Sequence, residues 1–246
     1  MLTPEQARAE ALEVIAWYER PFTFLNKVGL DSMGRTLDRR HAKQTYRTGE
    51  PFLTYELKPS EALLYSNEVE ALCLESKHLM GVGEAKDNAT GLERCRNTLR
   101  GKDYYEVPIL NRRNEYVFSV SVAAYSEPGS GSGGVGEADR VSAVEAQKLA
   151  GTRSEPKLYS FNVPTDFEPY SDDYLEGHVR YWLTDGLAVD PNSGEVFEVQ
   201  TLEGESVDLL QGEVEPYVEQ RNWLGQYGED VMPLLLFPVK LEPLSR

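Results

Sequence analysis

The chain is poor in the side chains that most often do chemistry. Among 246 residues there are two cysteines and three histidines. Cys73 and Cys95 do not have the spacing of a zinc or redox pair, so two ordinary thiols in a reducing compartment are expected. His78 lies in SKHLMGVGEAKDN with no second histidine or carboxylate at ligand spacing. It reads as a surface or capping histidine, and no metal or cofactor is expected. Long apolar runs are missing too: nothing approaches the roughly 18 residues of a membrane helix. The start, MLTPEQARAEALE, carries carboxylates where a signal peptide would carry lysines and an apolar stretch. A cytoplasmic protein without membrane contact is the expectation, with export by a route that leaves no mark in the sequence as the alternative.

Cations are scarce in one half only. Residues 1–113 hold 17 of the 25 Lys+Arg and 17 of the 41 Asp+Glu, so the remaining 8 basic and 24 acidic residues lie in 114–246 and the net charge of −16 resides there. Such a half repels nucleic acid and anionic lipid, and it steers a basic protein toward itself. The alternative is a solvated acidic surface with no partner.

Catalytic signatures fail in turn. No P-loop and no G-x-S-x-G is present. Gly131, Gly133 and Gly136 spell G-x-G-x-x-G, but inside the Gly/Ser tract EPGSGSGGVGEAD and after a strand that alternates with serines. A dinucleotide site follows a continuous apolar strand, so the tract reads as a flexible loop or linker. DPNSGE misses the EF-hand pattern because its glycine comes one place early. The stretch Lys27–Arg47 is an island of positive charge around His41. It supplies the one enzyme reading, in which Arg39 and Arg40 clamp a phosphorylated or nucleotide-like molecule and His41 acts as general acid or base. The competing reading is a solvated basic face paired with the acidic half.

What the chain has is β-forming sequence punctuated by turns. His178–Gln200 reads as a hairpin turned by Asp190-Pro191-Asn192-Ser193-Gly194, with Val179, Tyr181 and Leu183 on one face. A second hairpin, Tyr105–Leu110 and Tyr116–Ala124, turns at Asn111–Asn114. Its alternation of Phe118, Val120 and Val122 with Ser119 and Ser121 predicts one wet face. Thr3-Pro4-Glu5-Gln6 opens a helix as a capping box, with Ala7, Ala11, Val14, Ile15 and Tyr18 as its apolar stripe. Phe52–Leu57, Leu63–Leu74 (partly helical in the alternative) and Leu158–Val163 read as strands, and Asn88–Arg100 as a short helix. Glu213–Leu224 reads as a helix, and Met232–Leu241 as a sheet edge or irregular extended chain because of its two prolines. The predicted class is α+β: antiparallel sheet from the two hairpins with the N-terminal helix on one face. The predicted division is an N-terminal lobe 1–126, a linker 127–140 and an acidic lobe 141–246, with one continuous domain as the alternative.

The segment Tyr181-Trp182-Leu183-Thr184-Asp185-Gly186-Leu187-Ala188-Val189-Asp190-Pro191-Asn192-Ser193-Gly194-Glu195-Val196 resembles the hairpin of some small bacterial immunity proteins of polymorphic toxin systems, and of PepSY-like domains. In these an aromatic strand runs into V-D-x-x-(T/S)-G-E-V. The resemblance spans about two dozen of the 246 residues. It implies a noncatalytic α+β protein that binds and blocks another protein, and it transfers no functional residue. The expected function is therefore a soluble binding or inhibitory protein. Asp166, Glu168, Asp172, Asp173 and Glu176, with the acids of Glu195–Glu219, would meet a basic partner. An enzyme built on the basic segment, or a structural or phage-derived assembly subunit, are the alternatives.

Overall fold

The computed structural model describes residues 1–18, 46–80, 88–111, 113–125, 133–136, 141–164, 178–225 and 228–244. They gather into two compact units, each made of separated stretches. The first comprises Met1–Tyr55, Lys102–Ser142 and Pro191–Ser193; the second comprises Glu56–Gly101, Ala143–Asp190 and Gly194–Arg246.

The first unit places helix α1 (Pro4–Tyr18) on an antiparallel sheet of β2 (Phe52–Glu56), β3 (Tyr104–Leu110), β4 (Tyr116–Ala123) and β5 (Gly133–Gly136), in that order, with β1 (Arg47–Thr48) also on β3. The capping box forms as expected: Gln6 N donates to Thr3 Oγ1 at 3.2 Å, and Thr3 N donates to Gln6 Oε1 at 2.8 Å. Ala7, Ala11, Val14 and Ile15 are buried against Val107, Ile109, Phe118, Val120 and Val122. The side chain of Tyr18 lies outside the described residues. Part of the glycine tract is a strand, since β5 pairs with Ser119–Val122 of β4. Gly133 shows why glycine suits the place: a Cβ there would strike the Ser121 carbonyl and stand 3.0 Å from Val14 Cγ2, beneath α1. Asn114, at φ 59°, takes the left-handed position that closes the β3–β4 turn. The expected wet face of β4 is corrected. Ser119 is 1% exposed, as is Glu106, and Ser121 Oγ donates to Glu106 Oε1 at 2.9 Å. Polarity in a sequence shows what a face is made of, not whether something covers it.

In the second unit β12 (Val239–Pro243), β9 (Val196–Thr201), β8 (Leu187–Val189), β7 (His178–Thr184) and β6 (Lys157–Asn162) neighbour one another in that order, all antiparallel. The expected single hairpin is three strands. Asp185 and Gly186, with φ 47° and 75°, form a two-residue turn that brings Thr184 opposite Leu187. Two positive φ values are the signature of the turn that matches strand twist, and Asp-Gly is a preferred pair for it. The Asp190–Gly194 turn then joins β8 to β9, with Asp190 N donating to the Glu195 carbonyl. Leu158, Trp182, Val189 and Val196 form one cross-strand row on the face where α6 (Ala143–Ala150) packs. Phe161, Leu183, Ala188 and Val199 belong to the other face's core, together with Val69, Cys73, Cys95 and Leu99 of the helices and Val218 and Leu235 from near the C-terminus.

Two sequence expectations are reversed here. Leu63–Leu74 is helical, in α2 (Glu61–Leu64) and α3 (Asn67–Glu75), because Ser60 and Ser66 cap both starts with their hydroxyls. Glu213–Leu224 is not a helix. Tyr217–Gly225 is strand β10, paired residue by residue with β11 (Gly228–Leu236), and Pro233 sits within that ladder opposite Gln220. Propensity over a dozen residues is a small term beside such a ladder. The α+β class stands, with more strands than two hairpins supply.

The expectation of two free thiols is also corrected. Cys73 of α3 and Cys95 of α5 (Asn88–Leu99) are joined as a disulfide, their Cα atoms 5.8 Å apart, and both are fully buried among Leu64, Val69, Leu79 and Leu99. α4 (Lys77–Met80) lies between the two helices in sequence. Disulfides persist in oxidising compartments, so the bond removes one support for a cytoplasmic location. No helix among the described residues is long and apolar enough to cross a membrane.

Candidate functional site

Both residue sets singled out from the sequence, Arg39, Arg40 and His41, and Asp166, Glu168, Asp172, Asp173 and Glu176, lie outside the described residues. So does the side chain of His78. The described acidic chemistry is that of the second unit. From Tyr181 to Gln220 the sequence has ten Asp and Glu residues and no Lys or Arg. Half of these acids lie on the connection from β9 to β10.

That connection is tied down by its own hydrogen bonds. Thr201 N donates to the Glu205 carbonyl at 2.8 Å, and Val207 N to the Val199 carbonyl at 2.9 Å. Asp208 caps a 3-10 turn (Leu209–Gln211), its carboxylate accepting from Leu210 N, while Glu213 Oε2 accepts from Asp208 N at 2.8 Å. Glu198 accepts from Ser206 Oγ and Gln200 Nε2, and these bonds hold its carboxyl below the usual range. Glu203, Glu205, Glu213 and Glu215 are exposed on this framework. Leu202, 52% exposed, and Leu210, 37% exposed, lie in the same connection. An ordered loop that offers carboxylates and apolar side chains together can seat a basic, partly apolar surface without first paying for its own ordering.

A second feature of this unit is concave. A pocket of about 290 Å³ is lined by Glu56, Leu57, Thr98, Leu99, Ser160, Phe161, Asn162, His178 and Met232–Leu235 with Phe237. Antiparallel pairing of Asn162 with His178 puts these two side chains side by side at the end of β6 and β7. Asn162 Nδ2 donates to the Leu235 carbonyl at 3.0 Å, and Asn162 Oδ1 lies 3.1 Å from His178 Nδ1. His178 keeps solvent contact at its edge, but the protein packed around its ring, and then Arg180, hold its pKa below the ordinary histidine value. No local pattern in the sequence points to this pocket, because its parts come from five separate stretches of chain. Among the described residues no three His, Cys, Asp or Glu side chains are grouped to hold a metal ion.

No family model, no curated protein and no solved structure matches this chain.

Proposed function

We propose that the protein is a noncatalytic binding or inhibitory protein, of the immunity or antitoxin kind, whose second unit receives a basic partner protein on its acidic surface. The observation that supports this reading is the cation-free stretch Tyr181–Gln220, whose exposed carboxylates stand on a hydrogen-bonded loop beside Leu202 and Leu210. An excess of surface carboxylates accelerates encounter with a cationic surface, and the apolar side chains give the complex its residence. The enzyme reading through Arg39, Arg40 and His41 and the assembly-subunit reading have no observation among the described residues in their favour.

The test is capture of a partner from the native lysate, followed by titration of the purified pair by calorimetry. Binding is expected to weaken about tenfold or more between 0.05 and 0.5 M salt, as screening lengths shrink, and again in the variant Glu203→Gln, Glu205→Gln, Glu195→Gln. An affinity indifferent to both changes refutes the acidic-surface reading.

A further inference from the structure

We propose that β10 is the strand through which two copies of this chain pair, edge to edge, into a symmetric dimer whose axis is crossed by one four-stranded antiparallel sheet.

β10 and β11 form a sheet of two strands, so among the described residues β10 has a ladder partner on one side only. What its open edge offers follows from the register. Hydrogen-bonded and non-hydrogen-bonded pairs alternate along an antiparallel ladder. The Leu235 carbonyl accepts from Asn162 Nδ2 at 3.0 Å, so it points away from β10, and Leu235 with Val218 is a non-hydrogen-bonded pair. Two residues on, Pro233 with Gln220 is another, which is the place where a residue without an N–H costs the ladder nothing. Val231 with Asn222 continues the series. Val218, Gln220 and Asn222 therefore turn their backbone N–H and C=O groups to the open edge. Natural edges are often blunted by lysine or proline, and Tyr217–Gly225 contains neither.

The side chains select the occupant. Glu219 and Arg221 share a face with exposed Tyr217; on the other face Val218 is buried and Gln220 Nε2 donates to Glu75 of α3. When two β10 strands run antiparallel about a two-fold axis at Gln220, Gln220 pairs with its own counterpart and Val218 with Asn222 in both directions. Each pair exchanges two main-chain hydrogen bonds. Between them, Glu219 of each copy falls opposite Arg221 of the other, in the closer kind of cross-strand pair. An axis at Val218 would set Glu219 opposite Tyr217, and one at Asn222 would set Arg221 opposite Trp223, so only the axis at Gln220 matches charge. Within one copy this ion pair is incomplete: Arg221 Nε lies 3.1 Å from Glu219 Oε1 but is buried without a hydrogen bond. The facing copy brings a second carboxylate to it. Each copy carries a net charge of −16, whose repulsion at physiological salt fades beyond about 8 Å. Against that repulsion so short a contact gives a reversible dimer of micromolar affinity.

The experiment is sedimentation equilibrium of the purified full chain over a micromolar concentration series at physiological salt. A monomer–dimer equilibrium is expected. Arg221→Glu and Glu219→Arg each set like charges opposite one another and should weaken self-association about tenfold or more. The two variants mixed should associate with each other, because every facing pair is then opposite in charge. The double variant Glu219→Arg, Arg221→Glu should dimerise as the native chain does. A loss of stability within one copy cannot produce that pattern. Gln220→Pro removes an outward N–H and no bond of the β10–β11 ladder; with its fold checked by circular dichroism, it should be monomeric. The Glu203, Glu205 and Glu195 variant should dimerise unchanged, which separates this contact from the acidic surface. The proposal is overturned if the native chain stays monomeric throughout the series, if the charge variants or folded Gln220→Pro dimerise as the native chain does, or if neither the mixture nor the double variant associates.

Discussion

Reduction of the Cys73–Cys95 bond is expected to cost the second unit about 3 kcal/mol. The two residues are 22 apart in sequence. Closing a loop of that length in the unfolded chain removes roughly 11 cal/mol/K of entropy on the chain-entropy model, which is about 3 kcal/mol at 25 °C. Native-state losses should be small, because both sulfurs lie in an apolar core among Leu64, Val69 and Leu99 and remain buried as thiols. With a urea slope of about 2–3 kcal/mol/M for a unit of this size, the unfolding midpoint should fall by about 1–1.5 M when a phosphine reductant is present. The assay is urea unfolding followed by circular dichroism, with and without reductant. Peptide mapping of the unreduced chain, alkylated while unfolded, is run beside it. The variant Cys73→Ala, Cys95→Ala should be less stable than the oxidised protein and indifferent to reductant. If both cysteines are alkylated before any reduction, the bond is absent. If the bond is present but the reductant moves the midpoint by less than about 0.3 M, the constraint on the unfolded chain is not what holds this helix pair together.

Three further outcomes are expected. Thr3→Ala removes one half of the capping box on α1 and should lower stability by about 1 kcal/mol, read as a shift in urea midpoint. Gly186→Ala should lower it by about 1–2 kcal/mol, since φ is 75° there and the new Cβ would stand 3.3 Å from the Val207 carbonyl; Gly151→Ala, with φ 70° but open space around it, should lower it less. His178 should titrate by NMR below the unfolded histidine value of about 6.5. The unfolded chain then binds more protons than the folded one, so this histidine leaves stability untouched well above pH 6.5 and lowers it as the pH falls through that value. His178→Gln should flatten that part of the profile. A His178 resonance titrating above 6.5 would refute the assignment.

Local rules read well where the signal is local. The α1 capping box needs only Thr3 and Gln6, and the stripe of Ala7, Ala11, Val14 and Ile15 needs only helical spacing, so both were legible. The Asp185-Gly186 turn is as local as these, but the longer Asp190–Gly194 turn is enough by itself to account for the reversal of the chain, so the sequence alone does not require a third strand. Segment Tyr217–Gly225 misled because its periodicity suits a helix as well as a strand. Nine residues of β11 decided the matter by pairing with it. Of the candidate sites, the excess of carboxylates was plain from counting. The bonds that fix Glu198, Asp208 and Glu213 in place were not, because they depend on how the β9–β10 connection folds on itself.

The amino-acid order alone determined the class of the fold, the helix at the start, most of the strands and the uneven distribution of charge, since each of these is settled by neighbours within a few residues. Tertiary structure decided the rest. It joined Glu56–Gly101 to the C-terminal stretches, paired Cys73 with Cys95, closed the serine face of β4, and set Ser160, Asn162 and His178 around one pocket. Those outcomes depend on contacts between residues far apart in the chain. Such contacts form only when one sheet and its covering helices are complete, and no local pattern of side chains encodes them.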